Sequence, residues 1–350
     1  MAASIIKFMH IQEAVDLKAF STMRLGGRAK WLAEAAHEDD LPKLLAWATE
    51  KNVPSIMIGE GSNIVWRDEG FPGLVIVNRL MGKNVISQDD ESVTVNFKAG
   101  EDWDEMVEWT VDQGWSGLEF MSRIPGRVGA APVQNIGAYG GELSRTLIEV
   151  VAYDTQAGGF VNLSNSDCEF AYRTSRFKTT DRGRFMITAI SLKLKKQPPK
   201  PPFYESLQRY FAEHDIKEYT PSTIRQAVTA IRKIKLPDPK VVPNNGSFFT
   251  NPIIETEAYE KLKNKFPDIK GWPHEENLVK ISAGWLVEKA GFKGIHDTQT
   301  GMGTWDHSAL VLINEQAQKT ADLLAFKQKI VDKVQEMFGI TLEQEPQLLP

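Results

Sequence analysis

Apolar residues recur at two different periods along this chain, and the switching between them predicts a mixed α+β architecture. Leu41, Leu44, Leu45 and Ala48 follow Asp39 and Asp40 at i, i+3, i+4 and i+7 spacing, the stripe of an amphipathic helix with acidic residues at its positive end. Ser55-Ile-Met-Ile58 is a short apolar strand that runs straight into Gly59-Glu-Gly-Ser-Asn63, and residues 74–77 form another. Residues 92–97 alternate apolar and polar, as a half-buried strand does. Asp102 and Glu105 then have capping-box spacing before Met106, Val107 and Val111, with Gly114 as the stop. Strand patterns return at 148–153 and 185–194. Near the end, Thr320 is placed to cap a helix whose core face is Leu323, Leu324, Phe326, Ile330, Val331, Val334 and Phe338, with Gly339 ending it.

Between 114 and 141 the periodicity collapses. Glycines stand at 114, 117, 126, 129, 137, 140 and 141, with Pro125 and Pro132 among them. That density predicts an ordered loop system in which the backbone must approach something closely. Gln197-Pro-Pro-Lys-Pro-Pro202 reads as an extended linker and Leu236-Pro-Asp-Pro239 as a hinge. No internal repeat or low-complexity tract occurs.

Composition narrows the class. A chain of 350 residues exceeds the size at which single cores stop growing, so two or three domains are expected. The net charge of −5 disfavours a dedicated nucleic-acid or membrane-surface binder. One cysteine, Cys168, excludes an intramolecular disulfide framework, fits a reducing compartment and reads as a small core residue. Residues 1–10 lack the pattern of a signal peptide, and no apolar run is long enough to span a membrane; a soluble cytoplasmic protein is expected. The six histidines never fall at i, i+3 or i+4 spacing, so no metal site is expected.

Several segments have residues suited to chemistry, each with a plainer reading beside it. Gly59-Glu-Gly-Ser-Asn63 frees backbone amides to converge on an anion such as a pyrophosphate, or is a tight turn between strands. It is not the dinucleotide fingerprint, because no helix pattern follows. Ile124-Pro-Gly126 and Gln134-Asn-Ile-Gly-Ala-Tyr-Gly140 offer backbone against which a flat cofactor can lie, or form a surface loop. Arg173 offers a fork for a carboxylate, or is a solvated surface arginine. Ser247, before Phe248 and Phe249, is a shielded proton donor or a turn cap. Glu345 taken alone is an exposed terminal glutamate.

Taken together and in order, these segments, with Phe170-Ala-Tyr-Arg173, Gly246-Ser-Phe-Phe249 and Leu342-Glu-Gln-Glu345, closely resemble the UDP-N-acetylenolpyruvoylglucosamine reductase (UDP-N-acetylmuramate dehydrogenase) family. The resemblance runs from about residue 20 to 345. Phe203-Tyr-Glu-Ser-Leu207 and Lys235-Leu-Pro-Asp-Pro-Lys240 are similar to the longer, type I branch. It implies an α+β protein of three domains. An FAD-binding pair of the vanillyl-alcohol-oxidase-like (PCMH-type) fold would take residues 1–80 with 340–350 and 81–236, and a C-terminal α+β substrate domain would take 237–339. It implies noncovalent FAD held by Gly59, Glu60, Gly61, Ser62, Asn63, Ile124, Gly126, Gln134, Asn135 and Gly137. NADPH is the implied hydride donor, and Tyr204, Lys235 and Asn251 are the implied holders of the substrate diphosphate. Two departures are visible: Ala130 and Ala131 stand where relatives have serines, and Gln347 where a relative has arginine.

The same resemblance implies peptidoglycan precursor synthesis. Flavin N5 gives hydride to the terminal carbon of an enolpyruvyl group, Arg173 and Glu345 stabilise the resulting enolate, and Ser247 protonates the neighbouring carbon. Phe248 and Phe249 are expected to keep water from that serine. Two other readings stay open on the sequence: a sister flavin oxidase acting on an alcohol, and a sugar-nucleotide-binding protein without turnover. Oligomeric state is not legible.

Overall fold

The computed structural model of the protein describes residues 10–350, so the reading of the chain's first nine residues lies outside the described ones. The chain divides into two compact units. One takes the described residues up to Val15 together with Ala29–Glu60 and Pro72–Lys233; the other takes Asp16–Arg28, Gly61–Phe71 and Ile234–Pro350.

The first unit carries two main sheets and a two-stranded one, Gly137–Ala138 with Gly141–Glu142. Strands Gln12–Asp16, Arg28–Ala35, Phe71–Asn78 and Ser55–Ile58 lie in that order, the last pair parallel with Ser55 opposite Leu74. The helix Asp40–Glu50 buries Leu41, Leu44 and Ala48 of the expected stripe, leaves Leu45 half-buried against the same core, and buries Trp47, which the stripe does not include. The second sheet is five-stranded and antiparallel, in the order Gly159–Ser164, Leu147–Asp154, Phe185–Lys195, Ser92–Lys98 and Lys83–Gln88. Along Ser92–Lys98 the alternation becomes burial, with Val93, Val95 and Phe97 inside. The helix Trp103–Asp112 covers that face, and Asp102 caps it by accepting from the Asp104 and Glu105 amides at 3.0 and 3.1 Å. Such a cap is worth about 0.5–2 kcal/mol. Cys168 is fully buried in this core, and burial pushes its thiol up to about 12. A helical pair, Glu205–Glu213 and Pro221–Lys235, closes Leu207, Phe211, Ile224 and Val228 against Phe203, Phe120 and Tyr139.

Glu119 is a costly residue of this unit. It is fully buried, its Oε2 accepts from the Gly117 amide at 2.6 Å, and its Oε1 has no partner among the described residues. Burial pushes this carboxyl above the ordinary carboxylate range, against the pull of the Gly117 amide. A carboxyl raised in the fold contributes its stability below its unfolded pKa and loses it as pH rises through the folded value. Glu119→Gln mimics the protonated form. Its melting temperature is expected to match the parent near about pH 4 and to exceed it increasingly toward neutrality. A gap that stays constant with pH would show that the carboxyl is not the source.

The second unit is a smaller α+β body. Its main sheet orders Asn244–Ser247, Ser308–Asn314, Met302–Trp305 and His296–Asp297, and a second joins Ile253–Glu255, Leu278–Ile281 and Gly271–Pro273. The helix Thr320–Phe338 turns Leu323, Phe326, Ile330, Val334 and Phe338 into the core, and Gly339 ends it at φ +69°. Thr320 is not its cap. Its hydroxyl donates to the Trp66 carbonyl at 2.6 Å, while Asp68 accepts from the Thr320 and Ala321 amides at 2.7 and 3.0 Å. A carboxylate distant in sequence outcompetes the local hydroxyl because its charge also favours the positive end of the helix. Gln347–Leu349 pairs in parallel with Ile64–Trp66, anchoring the chain's last residues. Among the described residues no helix is long and apolar enough to cross a membrane.

Candidate active site

In the first unit the glycine-rich stretch is built of tight turns. Val128–Gln134 forms 3-10 turns, with Ala131 buried and Ala130 exposed, and ends at Asn135 with φ +48°. Asn135 is buried; its Nδ2 donates to the Ala171 carbonyl at 3.2 Å and its Oδ1 accepts from the Ser144 amide at 3.0 Å. Those bonds tie the Gln134–Gly137 turn to the segment carrying Arg173. The Arg173 guanidinium donates through Nη2 to the Gly137 carbonyl, and it lies over the Tyr172 ring, 5.2 Å from the centroid. A Cβ on Gly137 would stand 2.7 Å from the Gly141 carbonyl oxygen and 3.2 Å from Arg173 Nη1. Glycine is therefore what permits the approach. Arg173 itself has φ +53°, a conformation that costs a non-glycine residue about 1–3 kcal/mol and is concentrated at functional sites. A freely solvated surface arginine has no need of it.

Half-buried Ile124 packs on the core, and Gly126, buried at φ +126°, accepts from the Trp103 amide at 3.0 Å. Gln134 is half-buried at the end of its 3-10 turn. Tyr204 immediately precedes the helix Glu205–Glu213; it is 46% exposed and meets Tyr139 edge-on at 5.9 Å between centroids. Burial pushes the Tyr139 phenol up, while the Arg232 charge pulls it down. Gly59 and Glu60 are half-buried beyond the strand Ser55–Ile58.

In the second unit, Gly61 has φ +77°, and a Cβ there would stand 2.1 Å from the Phe20 carbonyl oxygen. The Gly61, Ser62 and Asn63 carbonyls accept from the Thr22 amide, Asn245 Nδ2 and the Gln347 amide at 3.2, 3.0 and 2.9 Å. In a trans peptide the carbonyl and the next N–H point oppositely, so the Ser62 and Asn63 amides turn away from Thr22 and Asn245. Asn245 Oδ1 is buried with no partner among the described residues.

The segments that follow Ser247 and lead to Glu345 are paired here through their backbones. Residues 248–250 run antiparallel to 343–345: the Thr250 amide donates to the Glu343 carbonyl at 3.0 Å, and the Glu345 amide donates to the Phe248 carbonyl at 2.9 Å. Glu345, half-buried, is thus held across from the residue after Ser247. The expected shielding of Ser247 by its phenylalanines is not seen. Ser247 is exposed, and Phe248 and Phe249 are buried in the core of their own unit. They anchor the strand that carries the serine, because an apolar ring gains more from core burial than from covering a hydroxyl. Asn251 Oδ1 accepts from the Ala283 amide at 2.9 Å, and Lys235 is exposed at the end of the helix Pro221–Lys235. Among the described residues no group of three or more His, Cys, Asp and Glu side chains is placed to hold a metal ion.

Two polar residues beside these segments carry no signal of their own in the sequence. Arg127 directly follows the Ile-Pro-Gly turn, and Asn245 stands two residues before the serine. Each was legible only as a polar residue next to a motif.

Residues 29–163 match the family model of an FAD binding domain, and 238–349 match that of the C-terminal domain of UDP-N-acetylenolpyruvoylglucosamine reductase. A UDP-N-acetylenolpyruvoylglucosamine reductase of Alcanivorax borkumensis is 43% identical over 345 residues, covering 98% of this chain and 97% of that protein. One from Pseudomonas aeruginosa is 37% identical over 340 residues, covering 97% and 99%. The crystal structure of UDP-N-acetylenolpyruvylglucosamine reductase from Thermus caldophilus superposes with a TM-score of 0.67 at 24% identity, covering 98% of this chain and all of that one.

Proposed function

We propose that this chain, which belongs to the UDP-N-acetylenolpyruvoylglucosamine reductase family, reduces the enolpyruvyl group of UDP-N-acetylglucosamine enolpyruvate with NADPH as reductant, giving UDP-N-acetylmuramate in the cytoplasm. It is an FAD-dependent oxidoreductase of α+β fold. The residues present fit that cofactor. Gly61 lets the backbone pass where a side chain could not, and its neighbours' carbonyls are turned into the protein. In this reading Gly59, Glu60, Gly61, Ser62, Asn63, Ile124, Gly126, Gln134, Asn135 and Gly137 hold FAD, and Tyr204, Lys235 and Asn251 hold the substrate diphosphate. Residues 1–80 with 340–350 and 81–236 form the FAD-binding part and 237–339 the substrate part.

When bound, FAD would supply the hydride that the enolpyruvyl group accepts, with NADPH as its source. What the chain must do is hold the charge that develops on the substrate carboxylate and return a proton. Arg173 has the fork and the fixed charge for the first task. Glu345 assists when protonated, since two carboxylates close together cannot both ionise cheaply. Ser247 delivers the proton to the carbon bearing the ether oxygen. The observation that supports this assignment is the Glu345 amide bond to the Phe248 carbonyl, which pairs the backbone carrying the carboxyl with the segment that follows the serine.

Purified protein is expected to be yellow, to bleach with NADPH without oxygen, and to regain colour when the enolpyruvyl sugar nucleotide is added. A colourless protein that FAD cannot reconstitute would overturn the cofactor reading. Reduction that only oxygen or an alcohol-derived carbonyl reverses would overturn the substrate.

A further inference from the structure

Arg127 lies beside the glycine segment of its own unit in an unusual condition. Its backbone is fixed: it bridges Asp102, and the amides of Trp103 and Val128 donate to the Gly126 and Glu101 carbonyls at 3.0 and 2.9 Å. Its stem lies flat on Gly59, where an added Cβ would stand 3.0 Å from Arg127 Cβ and 3.1 Å from Cγ. Its Nε is buried and has no hydrogen-bond partner among the described residues, and its Nη1 bond to the Gly100 carbonyl is long, at 3.4 Å. A buried donor left unmade costs stability, so a charged group kept in that state points to an acceptor that the chain does not supply. The guanidinium offers donors in a rigid fork that matches phosphate oxygens.

We propose that Arg127 is a cofactor-binding residue that donates from its guanidinium to the diphosphate of FAD beside Gly59. The proposal rests on the FAD-dependent reading above. It adds a fixed positive charge to the residues assigned to FAD above. Gly59 is glycine so that the arginine stem can lie against it.

The test uses the holoenzyme and follows FAD release by the rise of free-flavin fluorescence, in the parent, Arg127→Lys and Arg127→Gln, at low and high KCl. Charge-assisted bonds of this kind set an expectation of about 10–100-fold faster release in Arg127→Gln, with Arg127→Lys between. Release from the parent should accelerate with salt, and release from Arg127→Gln should accelerate less, because the screened charge is gone. The KM for NADPH and the melting temperature of the apoprotein should stay near parental values. Unchanged release in Arg127→Gln would overturn the proposal. So would faster release with an undiminished salt dependence and a lowered apoprotein melting temperature, which marks a packing role. A raised KM for NADPH with normal FAD release would assign the arginine to the reductant instead. Failure of the parent itself to bind FAD would defeat the underlying reading, and it is seen before any variant is made.

Discussion

Ser247→Ala will reduce its flavin with NADPH at close to the parental rate and then stall when the enolpyruvyl sugar nucleotide is added. The serine's proposed task is to protonate the substrate carbon, which has no part in transfer from NADPH to flavin. General acid catalysis is worth about 10²–10⁴-fold, so the second half-reaction should slow by that factor while the first is spared. The structure makes the control strict. Ser247 is exposed, and what holds it is the backbone pairing of Asn244–Ser247 with Ser308–Asn314 and the two buried phenylalanines that follow. Removing an exposed hydroxyl should move stability by no more than about 0.5 kcal/mol, so the melting temperature should not change. Ser247→Cys should retain part of the activity, since a thiol delivers a proton from nearly the same position. Stopped-flow absorbance of the two half-reactions decides it: equal slowing of both, or none of the second, removes Ser247 from the mechanism.

The elements were legible wherever one local rule governed: the 41–48 stripe, the alternation at 92–97 and the Asp102 cap all appear as their spacing predicts. The motif glycines were legible because few other residues tolerate their backbone. What failed required a partner from far along the chain. Nothing near Thr320 announces that Asp68 supplies the helix cap, or that Gln347–Leu349 pairs beside Ile64–Trp66. The phenylalanines after Ser247 look like a shield in sequence, because adjacency hides that both rings are drawn into the core of their unit while the serine stays exposed. Arg127 is hidden for a similar reason: an arginine after Ile-Pro-Gly looks solvated until its Nε is seen to be buried and its Cβ and Cγ to lie against Gly59.

Arg173→Lys is expected to lose far more activity than a charge-conserving change normally does. The guanidinium reaches its place through three constraints at once: a left-handed backbone at φ +53°, a bond to the Gly137 carbonyl, and a glycine at 137 that leaves room for Nη1. Lysine keeps the charge, but one ammonium cannot hold both the Gly137 carbonyl and two oxygens of a substrate carboxylate in a planar fork. Removing a group that stabilises developing negative charge typically costs about 10²–10³-fold, and the loss should fall on the half-reaction that consumes substrate. NADPH reduction of the flavin should stay within a few-fold of the parent. A purely structural arginine predicts a different pattern. Loss of the Gly137 bond would then loosen the turn that ends at Gly137, lower the melting temperature and slow both halves together. The measurements are the two half-reaction rates, the melting temperature and the substrate KM in Arg173→Lys. Turnover near the parental rate would return Arg173 to an ordinary turn residue, and the enolate would need another cation.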